Sequence, residues 1–332
     1  LSLQQWVPRL AGRRVLVIGD VLLDEYVTGR PARMSREAPL PVLEFEQRRL
    51  IPGGAANPAV TIARLGSQVM LAGVTGEDAA GQQLRALLQA RGIDCAALVS
   101  EAGRATTVKL RIMAQTGLRY PQQMARLDTI SRAALSAAGA RRLQAQLEAQ
   151  CSGVDAVLVS DYRVGLLRPA LVAALRALAS ALPAPPLLAV DAQGELDKYH
   201  DFDLVKCNAA DAGAWLGRTL ETDEDFAAAA RELRASLRPR GALVITRGPQ
   251  GATLAGAEGA LQHCPAPVVS DVYDVTGAGD TAIALMTLAA VAAAPWEVAV
   301  RLANIASGLV VRRVGNYAPA PAELRAALGA LE

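Results

Sequence analysis

The feature that most constrains this chain of 332 residues is a repeated alternation of short β-branched runs with amphipathic stretches of helical period. RRVLVIGD reads as a central parallel strand with a polar residue at its C-terminal edge, because a strand covered on both faces is apolar throughout. NPAVTIARLG reads as a helix: Asn57 can cap it, Pro58 suits its first turn and Gly66 ends it. QVMLAGVTG is a second strand. DAAGQQLRALLQARGI then sets Leu84, Leu87 and Leu88 on one helical face. After about residue 150 the pattern resumes with strands in VDAVLVSDY, LLAVDAQ, DLVKCN and ALVITRG and helices from Pro169 and Asp223, before a hairpin in GATLAG and ALQHCPAP. Two long helices follow, the second starting near Pro295. Such alternation predicts an α/β fold in three layers, a mainly parallel sheet between helices.

Two pairs of segments interrupt it. DEYVTGR with LPVLEFEQ, and TTVKLRIMAQ with LRYPQQMARLD, read as antiparallel strands of a sheet with one wet face. They are assigned to a small inserted β-sheet lid, approximately residues 25–50 and 104–128, on a single domain spanning 1–332. Exposed lid strands predict a homodimer in which two lids cover each other's faces or edges.

Charge and composition narrow the function. A net charge of +2 advertises neither a nucleic-acid nor a membrane surface. The cations are 31 Arg and 3 Lys, scattered, which reads as a composition bias. The apolar run from Thr281 to Ala294 is shorter than the ~20 residues that cross a bilayer, so it reads as a buried helix. The N-terminus lacks a signal-peptide layout, and the expected compartment is the cytoplasm. Cys95, Cys151, Cys207 and Cys264 have no metal-ligand spacing, and His200 and His263 sit in no zinc or triad pattern. Neither a GxGxxG fingerprint nor a GxxxxGK[ST] P-loop is present.

The octapeptide DVTGAGDT, residues 274–281, carries the chemistry. A helix start has free N–H groups and partial positive charge, and so attracts anions. Gly277 and Gly279 let the backbone bend close to a ligand. The amides of Gly277, Ala278, Gly279 and Asp280 suit the charge of a phosphoryl group in flight, and Asp280 beside them can accept a proton from an attacking hydroxyl.

DVTGAGDT near the C-terminus and GGAAN at Gly53–Asn57 near the N-terminus resemble the ribokinase-like (PfkB) sugar kinases, over nearly the whole chain. More narrowly, GDVLLDEYVTG, RMSREAPLPVLEFE, PGGAANPAV, TTVKLR, QQMARLD and VSDYRVGLL resemble kinases that phosphorylate D-glycero-D-manno-heptose 7-phosphate at the anomeric hydroxyl, on the way to ADP-heptose and lipopolysaccharide. The resemblance implies a ribokinase-like α/β/α sandwich, ATP as phosphoryl donor, Mg²⁺, and a monovalent cation such as K⁺ near Asp274. It gives Asp20, Asp24 and Asn57 to sugar hydroxyls, and Gly53 and Gly54 to close approach of the backbone to the sugar. Lys109, Arg111 and Arg126 are candidates for the substrate phosphate, since guanidinium matches phosphate bidentately. On the nucleotide side it implies Thr246, Gly248 and Gly251 near the phosphates and ribose, Asn304 near adenine, and Asn208 with Asp211 near Mg²⁺ through water.

Three departures from the family pattern stand out. Asp211 replaces a Glu, DAQG at Asp191–Gly194 replaces Asp-Pro-Lys-Gly and so loses a basic side chain near the nucleotide, and Arg36 replaces a proline. Two alternatives stay open: a kinase of this fold acting on another sugar, sugar phosphate or nucleoside, or a non-catalytic nucleotide- or sugar-binding homologue. The His-x-Gly-His motif of a fused nucleotidyltransferase is absent, so the chain reads as the kinase alone.

Overall fold

The computed structural model describes residues 2–117 and 121–330; the start of the LRYPQQMARLD segment, 118–120, lies outside the described residues. Its strands are β1 (Arg14–Gly19), β2 (Val21–Met34), β3 (Pro41–Gly54), β4 (Gln68–Gly76), β5 (Leu98–Glu101), β6 (Val108–Ala114), β7 (Gln122–Thr129), β8 (Ala156–Ser160), β9 (Leu187–Asp191), β10 (Leu204–Asn208), β11 (Ala242–Thr246), β12 (Ala252–Ala255) and β13 (Leu261–Cys264). Its α-helices are α1 (Ala56–Arg64), α2 (Ala79–Gln89), α3 (Ala137–Gln150), α4 (Pro169–Ser180), α5 (Ala209–Leu216), α6 (Asp223–Leu237), α7 (Ala278–Val291), α8 (Trp296–Val310) and α9 (Pro321–Gly329).

Among the described residues, nine strands form the large sheet in the order β13-β12-β11-β10-β9-β8-β1-β4-β5. All its pairings are parallel except β11–β12 and β12–β13, the expected hairpin. Burial on both faces follows from the period of two: Val15 and Val17 of β1 join one core, Leu16 and Ile18 the other. The first core is shared with α1, α2, α7, α8 and α9, the second with α3, α4 and α6. Helix α7 is buried from Asp280 through Ala289 and packs against both α1 and α8. That explains its largely apolar sequence. The carboxyl ends of β1, β8, β9, β10 and β11 share one edge, where open α/β sheets bind ligands.

The second sheet has the order β3-β2-β6-β7. Its strands were expected to be antiparallel, but β2 pairs parallel with β6. The reason is topological: β2 and β6 both leave the large sheet in the same direction, so only the returns β3 and β7 run antiparallel. The expected cap of α1 is also corrected. The N-cap is Ala55, which makes no side-chain bond, and Asn57 lies inside the first turn with its amide turned to the site. Elements β5, α3, α5 and α9 had no sequence reading. Among the described residues, no helix is long and apolar enough to cross a membrane.

Candidate active site

The turn before α7 is built by Asp274, whose carboxylate accepts from the amide and hydroxyl of Thr276 at 2.9 and 2.6 Å and from Gly315 N at 2.8 Å. Gly277 then takes φ +82°, and a Cβ there would meet Asn57 Nδ2 at 2.6 Å. Among the described residues, no side chain caps helix α7. The Ala278 amide donates to Val275 O at 3.3 Å, so one of the four expected donors is spent. Among the described residues, the amides of Gly277, Gly279 and Asp280 have no protein acceptor. They face a cavity of about 530 Å³ that is also lined by Tyr162, Asp191, Lys206 and Asn208.

Asp280 is 4% exposed. Its Oδ1 accepts from Tyr162 OH at 2.6 Å and its Oδ2 from Asn57 Nδ2 at 2.7 Å. Burial, and next the charge of Asp191, push its carboxyl up to about 6, against the bonds from Tyr162 and Asn57 and the charge of Lys206. Such a carboxylate is ionised at neutral pH yet far more basic than a surface aspartate, as general-base catalysis requires.

Lys206 is the largest addition to the sequence reading. Its Nζ pairs with Asp191 Oδ2 at 2.7 Å, both groups being buried. It lies 2.9 Å from where a Cβ on Gly279 would stand. An ammonium from the adjacent strand β10 thus stands beside the turn, in the same cavity as Gln193, where the family pattern has its lysine.

On the sugar side the carboxylates are busier than expected. Asp20 accepts from the amides of Tyr162, Val164 and Leu166 at 3.1, 2.9 and 3.2 Å, which spends most of its roughly four acceptor positions on holding the loop after β8. Asp24 takes Arg111 on one oxygen and Asn316 Nδ2 on the other at 2.7 Å. Gly53 and Gly54 fit against β2, not an open cleft. A Cβ at Gly53 would collide with Asp24 Oδ2 at 2.1 Å and one at Gly54 with Asp20 O at 2.2 Å. Arg111 is committed to Asp24 and stacks on Tyr26. Arg126, its partner in register, is exposed and paired with Asp128 at 3.0 Å. Lys109 has its ammonium 5.2 Å from the centre of the Tyr162 ring.

On the nucleotide side, Asn208, Thr246, Gly248, Gly251 and Asn304 all line the cavity with the α7 turn. Gly251, at φ +93°, must be glycine, since a Cβ would meet Cys264 O at 2.1 Å. Asn304 donates to Cys264 O at 2.9 Å and forms the wall shared with an apolar cavity of about 420 Å³ lined by Pro267, Val269, Val272 and Val311. Asn208 caps α5 through Asp211 N at 2.8 Å. Burial raises the Asp211 carboxyl, against a bond from the Gly194 amide. Among the described residues no cluster of three His, Cys, Asp or Glu could chelate a metal. Asn208 lines the cavity and Asp211 stands behind it in the first turn of α5, so their oxygens suit only an ion that keeps its waters and arrives on phosphates, the usual habit of Mg²⁺. Asp274 is largely spent on the turn described above, so the expected monovalent site has few protein oxygens to spare.

The sequence reading missed Tyr162, Asp191, Lys206 and Asn316 as site residues. A lysine inside the apolar strand DLVKCN was a usable signal; Asn316, in a loop far along the chain, had none.

Residues 13–323 match the family described as pfkB family carbohydrate kinase. The chain belongs to that family. As a PfkB kinase it is 38% identical over 321 residues to the bifunctional protein HldE of Hyphomonas neptunium and 39% identical over 316 to that of Azorhizobium caulinodans. These alignments cover 96% and 95% of the chain but 64% of each relative, so the chain spans about two thirds of the length of the curated relatives it matches. The fold matches phosphofructokinase-2 from Escherichia coli in complex with substrates and products (TM-score 0.78, 22% identity, 97% and 99% of the two chains). It also matches Arabidopsis thaliana ribokinase complexed with ribose and ATP (TM-score 0.73, 19% identity, 96% and 99%). The α/β sandwich with a separate small sheet is thus a ribokinase-like fold, and the protein is a sugar kinase.

Proposed function

We propose that this kinase transfers the terminal phosphoryl group of ATP to the anomeric hydroxyl of D-glycero-D-manno-heptose 7-phosphate, giving the 1,7-bisphosphate on a route to ADP-heptose. The observation that carries the reaction class is Asp280, a buried carboxylate near neutrality, set beside three unspent helix-end amides and the Lys206 ammonium. Support for the heptose comes from the segments around Asp24, Glu37–Val42 and Tyr162 and from the HldE relatives.

In this reading Asp280 takes the proton of the attacking hydroxyl. The new O–P bond forms as the bond to the ADP oxygen breaks, and that oxygen keeps the electron pair. The amides of Gly277, Gly279 and Asp280 and the Lys206 ammonium face the charge on the moving phosphoryl group. Asn208 and Asp211 would hold Mg²⁺ through water, and the ion would supply charge to neutralise the nucleotide phosphates. Asn304 and the apolar cavity beside it take the adenine. Lys109, which has no carboxylate partner among the described residues, takes the sugar phosphate, while Arg111 and Asn316 hold Asp24 towards the hydroxyls. The small sheet acts as a lid that excludes water. A second copy covers its apolar residues Met34, Phe45, Met124 and Leu127, which are exposed in the single chain.

ATP consumption measured across a panel of heptose, hexose and pentose phosphates and nucleosides tests the assignment. Heptose 7-phosphate should give the highest kcat/KM; a better non-heptose acceptor would replace it, and ATP binding without turnover on any acceptor would remove the kinase reading.

A further inference from the structure

Tyr162 joins three parts of the site. Its hydroxyl donates to Asp280 Oδ1 at 2.6 Å, its backbone amide donates to Asp20 Oδ2 at 3.1 Å, and its ring carries the Lys109 ammonium. The loop that bears it is pinned by two further amides on Asp20, so the phenol is not free to swing away from the base.

A carboxylate has about four acceptor positions. Two on Asp280 are filled, one on each oxygen, by Tyr162 and Asn57. Holding both oxygens fixes the plane of the group, and with it the direction of the lone pairs left for a substrate proton. We propose that Tyr162 is the positioning residue of the base: anchored through Asp20, its hydroxyl and the Asn57 amide clamp Asp280 so that its remaining acceptor positions face the cavity. This rests on Asp280 being the base, and it gives Asp20 a task in place of sugar binding.

The charges around the clamp are consistent with a permanent donor. Burial, then the charge of Asp280 and its hydrogen bond, hold the Tyr162 phenol well above its usual value, so it stays protonated. Facing Asp280 are Asp191 of β9, which raises its carboxyl, and Lys206 of β10, which lowers it. Asp24 acts on the phenol from β2, and the Lys109 ammonium of β6 stands over its ring. Among the groups that lower Asp280, Tyr162 stands first. Its removal therefore has a definite sign: the Asp280 carboxyl titrates higher, and the active ionised form appears at higher pH.

The test is a ¹³C-carboxyl titration of Asp280 in the full chain, its signal assigned by its absence in Asp280→Asn. Tyr162→Phe, which keeps the ring under Lys109, should move that titration up from about 6 by roughly one unit, as a lost hydrogen bond to a charged acceptor implies. The acid limb of kcat should move with it, and kcat on the alkaline plateau should fall by about tenfold from lost alignment. Replacing Tyr162 with 3-fluorotyrosine, a stronger donor, should move the titration down. An unchanged titration in the Phe variant, or a shift of the same sign in both variants, overturns the proposal, whatever happens to kcat. The titration needs no sugar, so a wrong substrate assignment does not disturb it. Near-native turnover in Asp280→Asn would instead remove the base, and the clamp with it.

Discussion

Lys206→Met separates what the buried ammonium does for the fold from what it does for the reaction. The ammonium and Asp191 are 2.7 Å apart, with side chains 4% and 8% exposed. Removing one partner of such a pair leaves a buried charge uncompensated, at a cost of about 3–5 kcal/mol. Burial already raises Asp191, and Lys206 opposes that rise. Without Lys206, Asp191 goes higher still, and the readier uptake of a proton by its carboxyl limits the loss. For a chain of this size that is a fall in Tm of several degrees, read by urea and thermal unfolding. Lys206→Met with Asp191→Asn exchanges the ion pair for neutral groups, often a nearly neutral change, so the double variant should recover most of the stability. Turnover should not follow. Losing one preorganised donor to transition-state charge costs about 10²–10³ in kcat, and restoring the fold does not restore a cation beside Gly279. The assay is initial-rate ATP consumption at saturating acceptor, on both variants, at pH 8 where Asp280 is ionised. A double variant with kcat within about threefold of native would show that Lys206 only neutralises Asp191, and the phosphoryl role assigned to it would fail.

The other predictions test the base, the acceptor end and the lid. Asp280→Asn should keep the fold and ATP binding while kcat falls by about 10²–10⁴, and native kcat should decline as pH falls through about 6, where the raised carboxyl takes up its proton; a flat profile down to pH 5 would contradict that. Lys109→Met should raise KM for a phosphorylated acceptor by about tenfold or more and leave KM for ATP within about twofold, since one charge-assisted contact to phosphate is removed; equal effects on both would place Lys109 elsewhere. Phe45, 68% exposed on the small sheet, should lie in a homodimer contact. Sedimentation at micromolar concentration should show a native dimer that Phe45→Glu dissociates, and a native monomer would refute the lid interface.

The layers were legible because apolar period and length suffice to place strands buried on both faces. Elements β1, β4, β8, β9, β10 and β11 and the helices α1, α4, α6, α7 and α8 lie where those patterns fall. What escaped was weakly patterned. Helix α3 buries only Gly139, Leu143 and Leu147 of its fourteen residues, α5 only Ala212 and Gly213 of eight, and α9 only Leu324 and Leu328 of nine. The parallel β2–β6 pairing had no local signal either, since each strand alternates in the same way whichever direction its partner runs.

The site was legible at the α7 turn because glycine and aspartate there answer a backbone requirement, and much less so where long-range partners decide a role. Asp20 looks the same in sequence whether it meets a sugar hydroxyl or three amides of a loop more than 140 positions away. Yet one compositional clue pointed at the centre. In a chain that uses arginine for 31 of its 34 cations, the three lysines hold related places: Lys206 on Asp191, Lys198 on Asp161 at 2.8 Å, and Lys109 on the Tyr162 ring. Asp161 and Tyr162 head the loop that Asp20 pins. The Lys206 ammonium, 2.9 Å from a would-be Gly279 Cβ, is a compact point charge where an arginine would bring a planar fork. Against so strong an arginine bias, a lysine inside the apolar strand DLVKCN was the clue to follow, and it leads to the Lys206–Asp191 pair beside the α7 turn.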